Sequence, residues 1–258
     1  MRFLLRTLLV FGLILVGGIS SLCAQELESV FASANEDFAQ GEYEQAAAKY
    51  ESLIEKGLLS PDVFYNLGTT YFRLNSPGNS MLSLRRAQVL DPTLPEAKQN
   101  IEVLRNRLGF LEFSDGKLDQ FLRSLPRGIG DSLRAAFFWL AALSMAAAYL
   151  VPRLIPYRSG MISLSIILVL FAIVLGRMES YRNSTLSPES FSIITEESVK
   201  ALTSPTPGSQ AVIDLPAGSE VRVVQESGPW RYVDIPGDLR GWVREEQLEA
   251  IWPIPTSS

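Results

Sequence analysis

Histidine is absent from all 258 residues, and cysteine occurs once, at Cys23. The first absence removes the commonest general base and the commonest transition-metal ligand together. The second excludes an internal disulfide and any cluster of cysteine ligands. Glycine-rich phosphate loops and serine nucleophile elbows are missing as well. The acidic residues Glu196-Glu197, Glu245-Glu246 and Asp234/Asp238 have no companion at catalytic spacing. Asp234–Asp238 lacks the ligand series of a calcium loop and reads as a hairpin turn. The sequence offers no catalytic residue, no metal ligand set and no cofactor site, so the expectation is a protein that is not an enzyme. Basic charge is also scarce. The formal net charge is −5, and both 25–109 and 178–258 hold more Asp and Glu than Lys and Arg, which argues against a nucleic-acid partner.

Charge is missing altogether from two long stretches, Ala135–Val151 and Met161–Gly176, with nine residues between them. Each covers about 25 Å as a helix against a hydrocarbon core of about 30 Å, so flanking residues must complete a span. Leu154 and Ile155 extend the first, and Arg134 and Arg153 can snorkel. The expectation is a membrane hairpin with spans at 135–155 and 160–177, in contact with lipid. The alternative is a hairpin buried in a soluble core. A hairpin returns the chain to the side it left. The turn Pro152–Gly160 carries Arg153 and Arg158 and no acid, as a cytoplasmic loop should.

The first 24 residues have the layout of a secretory signal: Arg2 and Arg6, an apolar run Leu8–Ile19, then small residues to Ala24. Cleavage after Ala24 is favoured. A lipoprotein site at Cys23 has Ser20 and Leu22 in the wrong order, and an uncleaved anchor is the remaining alternative. Cleavage would leave a chain without cysteine. With that leader, both flanks of the hairpin face outward from the cytoplasm.

From Glu26 to Gly109 apolar residues recur at three- and four-residue spacing, broken at Gly41, Ser60-Pro61, Pro77-Gly78 and Asp91-Pro92. A 34-residue period relates Leu27–Ser60 to Pro61–Leu94. Phe64, Leu67, Gly68, Tyr71, Ala87 and Pro92 in the second unit, and Gly41, Tyr43, Ala46 and Tyr50 in the first, fall on signature positions. The segment 25–109 thus resembles the tetratricopeptide repeat (TPR) family, helix–turn–helix units of that period. Three positions depart from the pattern: Ala34 and Asn75 stand at glycine sites and Ser80 at an alanine site. Pro95–Leu108 is expected as a capping helix, with Ile101 and Leu104 inward. The resemblance implies a concave peptide groove lined by Phe31, Asn35, Phe38, Tyr65, Asn66, Thr69 and Arg73. Asn35 and Asn66 match the amide pair of TPR domains that clamp a C-terminal carboxylate. Phe31, Glu96 and Asn100 stand where that clamp has cations, so an apolar or aromatic-anchored peptide fits better. Alternatively, these aromatics pack on the chain's own Phe110–Leu125. Within 110–134, Leu118, Phe121, Leu122 and Leu125 share one helical face, as a helix at the membrane interface or docked on the repeats would require.

After a polar linker at 178–192, short β-branched runs alternate with turns such as Pro216-Ala217-Gly218, Ser227-Gly228 and Pro236-Gly237. Leu215–Val221, Gly228-Pro229-Trp230-Arg231-Tyr232-Val233 and Gly241-Trp242-Val243 resemble, in order and spacing, the bacterial SH3-type domain, here assigned to 193–253. Trp230, Tyr232 and Trp242 are candidates for its ligand surface, for peptide or cell-wall stems, with Trp230 the most core-like of the three.

The fold class expected is multidomain: an all-α TPR helical repeat, a transmembrane helical hairpin and an all-β SH3-like barrel. That order resembles the TPR proteins of the bacterial aerotolerance (Bat) operon, the BatE-like family. The resemblance implies a scaffold in the bacterial inner membrane with both soluble modules periplasmic. It further implies membrane-anchored von Willebrand A-domain proteins and a MoxR-type ATPase as partners in an envelope or oxidative-stress complex. The rival expectation is an envelope sensor whose SH3-like domain binds peptidoglycan.

Overall fold

The computed structural model describes residues 25–114, 116–126 and 128–254. The leader reading and Cys23 lie outside the described residues. The chain divides into two compact units, one formed by 25–113 together with 191–254 and the other by Ser114–Ser190.

The first unit begins with five helices: α1 over 25–40, α2 (Tyr43–Glu55), α3 (Pro61–Arg73), α4 (Pro77–Leu90) and α5 (Pro95–Leu108). They form a repeat-like helix–turn–helix series. Proline opens α3, α4 and α5, where its missing N–H costs no hydrogen bond. Ser60 Oγ also accepts from the Asp62 N–H at 3.3 Å. The departures from the repeat pattern have physical reasons. Asn75 takes φ +55 between α3 and α4, a left-handed turn that Asn tolerates almost as glycine does. Ser80 is buried against α3 and its hydroxyl donates to the Gly68 carbonyl at 2.7 Å. Gly68 itself is needed: a Cβ there would lie 2.8 Å from Leu84 Cγ. Tyr50, Leu53, Phe64, Leu67, Met81 and Leu84 fill the core, and Ile101 and Leu104 join it from α5.

Seven antiparallel strands complete this unit: β1 (Ser192–Ile194), β2 (Val199–Leu202), β3 (Ala211–Leu215), β4 (Glu220–Ser227), β5 (Trp230–Ile235), β6 (Leu239–Arg244) and β7 (Leu248–Ala250). Their order is β3-β2-β6-β5-β4-β1-β7, an open sheet with β3 and β7 as edges. The start of β4 pairs with β1 and the rest with β5, with a register shift between Val223 and Gln225. Ile194, Val199, Leu215, Val221, Val233, Ile235 and Val243 form a core under the sheet.

The helices and the sheet are not independent modules. Phe191, Ile193, Ile251 and Ile254 are buried in the same apolar cluster as α1–α5. At the N-terminus of α4, a Cβ on Gly78 would lie 2.4 Å from the Thr195 carbonyl oxygen. Two arginines of α4 reach across. Buried Arg86 donates to Glu249 Oε1 at 2.7 Å, to the Ala250 carbonyl at 2.9 Å and to the Ile251 carbonyl at 3.3 Å. Arg85 pairs with Glu220 at 2.7 Å and Glu112 at 2.9 Å. The buried Arg86 guanidinium is tolerated because its Nε and one NH2 find the Glu249, Ala250 and Ile251 acceptors. Beyond β7, Ile251 and Ile254 close the helical core.

The second unit holds α6 (Lys117–Ser124), α7 (Ile129–Leu150), a 3-10 turn Pro152–Tyr157 and α8 (Arg158–Thr185). Both α7 and α8 are long and apolar enough to cross a membrane. They form an antiparallel hairpin whose buried positions are small: Ala141 and Ala148 on α7, Ser165 and Ala172 on α8. Ser165 Oγ contacts the Ala141 and Met161 carbonyls at 3.1 and 2.9 Å. Small residues let backbones approach, which is how helices pack where apolar burial gives no drive. Outward lie Phe138, Trp139, Leu143, Ile167, Leu170 and Phe171, all exposed. Two boundaries differ from the sequence reading. The first helix stops at Leu150, because the extended Val151 precedes Pro152, which cannot continue an α-helix. The helix α8 runs on to Thr185 through the expected linker, supported by a Glu179–Arg182 ion pair at 2.7 Å.

Candidate functional site

Alternate helices of the repeat region carry the predicted groove residues. Phe31, Asn35 and Phe38 lie on α1, and Tyr65, Asn66, Thr69 and Arg73 on α3. Their spacing of three, four and seven keeps each set on one helical face. The structure brings the polar members together. Asn35 Oδ1 accepts from the Tyr50 hydroxyl at 2.6 Å and from Asn66 Nδ2 at 3.0 Å. Thr69 donates to the Tyr65 carbonyl at 3.0 Å and accepts from Asn100 Nδ2 at 3.2 Å. Both inter-helix links span 31 residues, so the repeat geometry is written into the bonds. Asn100 belongs to the array, although the sequence reading noted it only as a missing clamp cation. The shared interval of 31, Asn35 to Asn66 and Thr69 to Asn100, was the signal that could have found it.

Burial raises the Tyr50 phenol to about 12. At neutral pH it is therefore a fixed donor, which makes Asn35 Oδ1 the acceptor and sets that amide's orientation. Asn66 directs one N–H of its NH2 at the same oxygen, and its amide also bonds the Tyr50 phenol. What remains is an Asn35 NH2 donor beside an Asn66 Oδ1 acceptor, with Asn100 Oδ1 a further acceptor on α5. The array is neutral. It complements the N–H and C=O of a peptide chain better than a carboxylate.

The aromatic groove residues behave differently. Phe31 packs edge-on against Tyr50 with centroids 6.0 Å apart, and Phe38 against Tyr43 at 5.4 Å. Both rings are partly buried and pack against the helical core cluster, of which Phe110 is also a member. Tyr65 is half-buried, and Arg73 is exposed at the end of α3. Lys49 of α2 is held by Asp37 at 2.5 Å and by Ser33 at 2.8 Å, and Arg73 is the one cation on α1 and α3 among the described residues.

The second predicted surface divides. Trp230 is 8% exposed and is covered by the Arg244 guanidinium 5.4 Å from its ring centre. That removes it from a ligand surface, because its area is spent inside the fold. Tyr232 and Trp242 sit directly opposite each other on β5 and β6, with ring centroids 4.9 Å apart. Both are half-exposed. The next pair on the same face is Asp234 and Arg240, bridged at 2.7 Å. An aromatic step flanked by a charged pair is the result.

Neither a protein-family model nor a curated protein matches this chain.

Proposed function

We propose that the chain is a membrane-anchored adaptor that holds an extended segment of a partner protein across the α1–α3–α5 face. The observation that carries this reading is the neutral polar array, Asn35–Asn66 and Thr69–Asn100, repeated at one interval on alternate helices. Backbone-directed bonds give affinity to a peptide of varied sequence, and Tyr65 with the edges of Phe31 and Phe38 favours an apolar or aromatic anchor. The helix-pair series fits the TPR family. The strand order, with β4 shared between β1 and β5, fits a small SH3-like barrel left open at its edges. The small-residue seam of α7 and α8, with large apolar side chains outside, supports a lipid environment for the hairpin. An antiparallel hairpin leaves both parts of the first unit on one face, in keeping with their shared core. On this reading the chain lies in a bacterial inner membrane with that unit in the periplasm, in a Bat-type complex with von Willebrand A-domain proteins and a MoxR-type ATPase.

The half-exposed Tyr232–Trp242 step favours a second reading, in which the sheet recognises cell-wall stems. Membranes solubilised in mild detergent separate the two. Asn66→Leu removes one donor and one acceptor from the array. It should lower recovery of the co-purifying membrane partner about tenfold, the equivalent of one or two lost hydrogen bonds. Trp242→Ala should leave that recovery unchanged. If Asn66→Leu has no effect while Trp242→Ala abolishes binding to purified cell wall, the adaptor reading fails and the sensor reading stands.

A further inference from the structure

We infer that α6 is a lipid-interface anchor: its Leu118 and Phe121 side chains enter the bilayer at the headgroup–acyl boundary, beside the outer end of α8. The inference rests on the membrane reading of α7 and α8. Helix α6 has eight residues, far too short to form alone in water. It is held in place from two sides. The Asp119 carboxylate accepts from the Gly116 N–H at 3.0 Å, closing the first turn. At the other end, Arg182 of α8 contacts the carbonyl of the C-cap residue Leu125 at 3.4 Å and that of Pro126 at 3.3 Å, tying the end of α6 to α8. Leu122 is 3% exposed, whereas Leu118 is 57% and Phe121 55% exposed. The short helix therefore leaves more than half of two large apolar side chains exposed while being fixed to the protein.

The depth of this attachment identifies the occupant. The uncharged run of α8 ends at Gly176, and the Tyr181 hydroxyl lies 3.2 Å from Asp119 Oδ1. Five residues of helix carry Tyr181 about 7.5 Å past the end of that run. That run is about 5 Å shorter than the hydrocarbon core. With the shortfall shared between its ends, Tyr181 lies about 5 Å outside the core, within the roughly 5–7 Å of headgroup and interfacial layer on that side, and α6 lies level with that layer. The surroundings match that depth. Tyr181 is itself partly exposed, as an interfacial aromatic should be. Arg134, Glu179 and Arg182 form a polar collar just beyond the apolar run. Lys117 is exposed at the start of α6, where anionic headgroups would meet it. The exposed apolar face of α6 thus continues the lipid-facing surface of the hairpin.

The test uses full-length chain reconstituted in vesicles of phosphatidylethanolamine and phosphatidylglycerol. Cys23→Ser provides the background. Single cysteines replace Leu118, Phe121 or, as a water-facing control, exposed Asn106, and each is labelled with an environment-sensitive fluorophore. Lipids brominated near the headgroup end of the acyl chain should quench the probes at 118 and 121 about twofold or more and leave the probe at 106 unchanged. An alkaline carbonate wash of the same vesicles reports on the hairpin separately. A chain retained by the wash, with the probes at 118 and 121 as unquenched as the probe at 106, overturns the interfacial anchor alone. A chain released by the wash overturns the membrane reading on which it rests.

Discussion

Gly78→Leu will loosen the sheet from the repeat helices while leaving both cores folded. Position 78 opens α4, and the added Cβ would meet the Thr195 carbonyl oxygen at 2.4 Å, Thr195 Cα at 2.7 Å and the Ile194 carbonyl oxygen at 2.8 Å. All three are backbone atoms, so no side-chain rotation relieves the overlap. Overpacking of this kind costs about 1–3 kcal/mol, and more where the opposing surface cannot yield. The same movement would draw Arg86 away from Glu249 and the Ala250 and Ile251 carbonyls, leaving buried groups unpaired at about 1–3 kcal/mol each. The sheet keeps its own core of Ile194, Val199, Leu215 and Val233, so it should stay folded after release. Amide hydrogen exchange checks this. Protection should fall in α4, β1 and β7 and persist in β5 and β6. Gly160→Ala is the control, since nothing lies within 4 Å of its added Cβ and it should leave exchange unchanged.

The second large effect separates two environments for the hairpin. Leu170 is exposed near the middle of the apolar run of α8. If water solvates that face, Leu170→Arg should be neutral or raise solubility. In lipid the same charge costs about 3 kcal/mol by insertion scales, which is roughly a hundredfold in the inserted-to-uninserted ratio. The expected outcome is loss of the variant from the membrane fraction with normal synthesis. Replacing a residue equally exposed on the first unit, such as Val224→Arg, should not change fractionation.

Much of this architecture was legible in the residues. The breaks at Gly41, Ser60-Pro61, Pro77-Gly78 and Asp91-Pro92 mark where helices end, because proline and left-handed turns act locally and independently of tertiary contacts. Strand positions followed from β-branched runs between glycine and proline turns. The uncharged stretches marked the hairpin. What was not legible depends on pairings distant in the chain. Arg86 meets Glu249 across 163 residues, and no spacing rule connects them. Gly78 reads as a helix-start residue until Thr195 is seen against it. The extension of α8 to Thr185 was hidden by polar composition, which α8 offsets with Glu179–Arg182. Within the candidate site, Asn35 and Asn66 were identified from the repeat pattern. The role of Asn100 needed the bond to Thr69, and the burial of Trp230 needed the Arg244 lid.

The central claim is that lipid surrounds α7 and α8 and that the helical and sheet segments share the compartment beyond the cytoplasm. Single cysteines in place of Glu44, Gly228 and Ile155, introduced in the Cys23→Ser background and probed in spheroplasts with a membrane-impermeant maleimide, test it directly. Labelling at 44 and 228 in intact spheroplasts, with 155 reacting only after permeabilisation, is the predicted result. Labelling of 44 and 228 from opposite sides, or a chain that stays in the aqueous fraction without detergent, would contradict it.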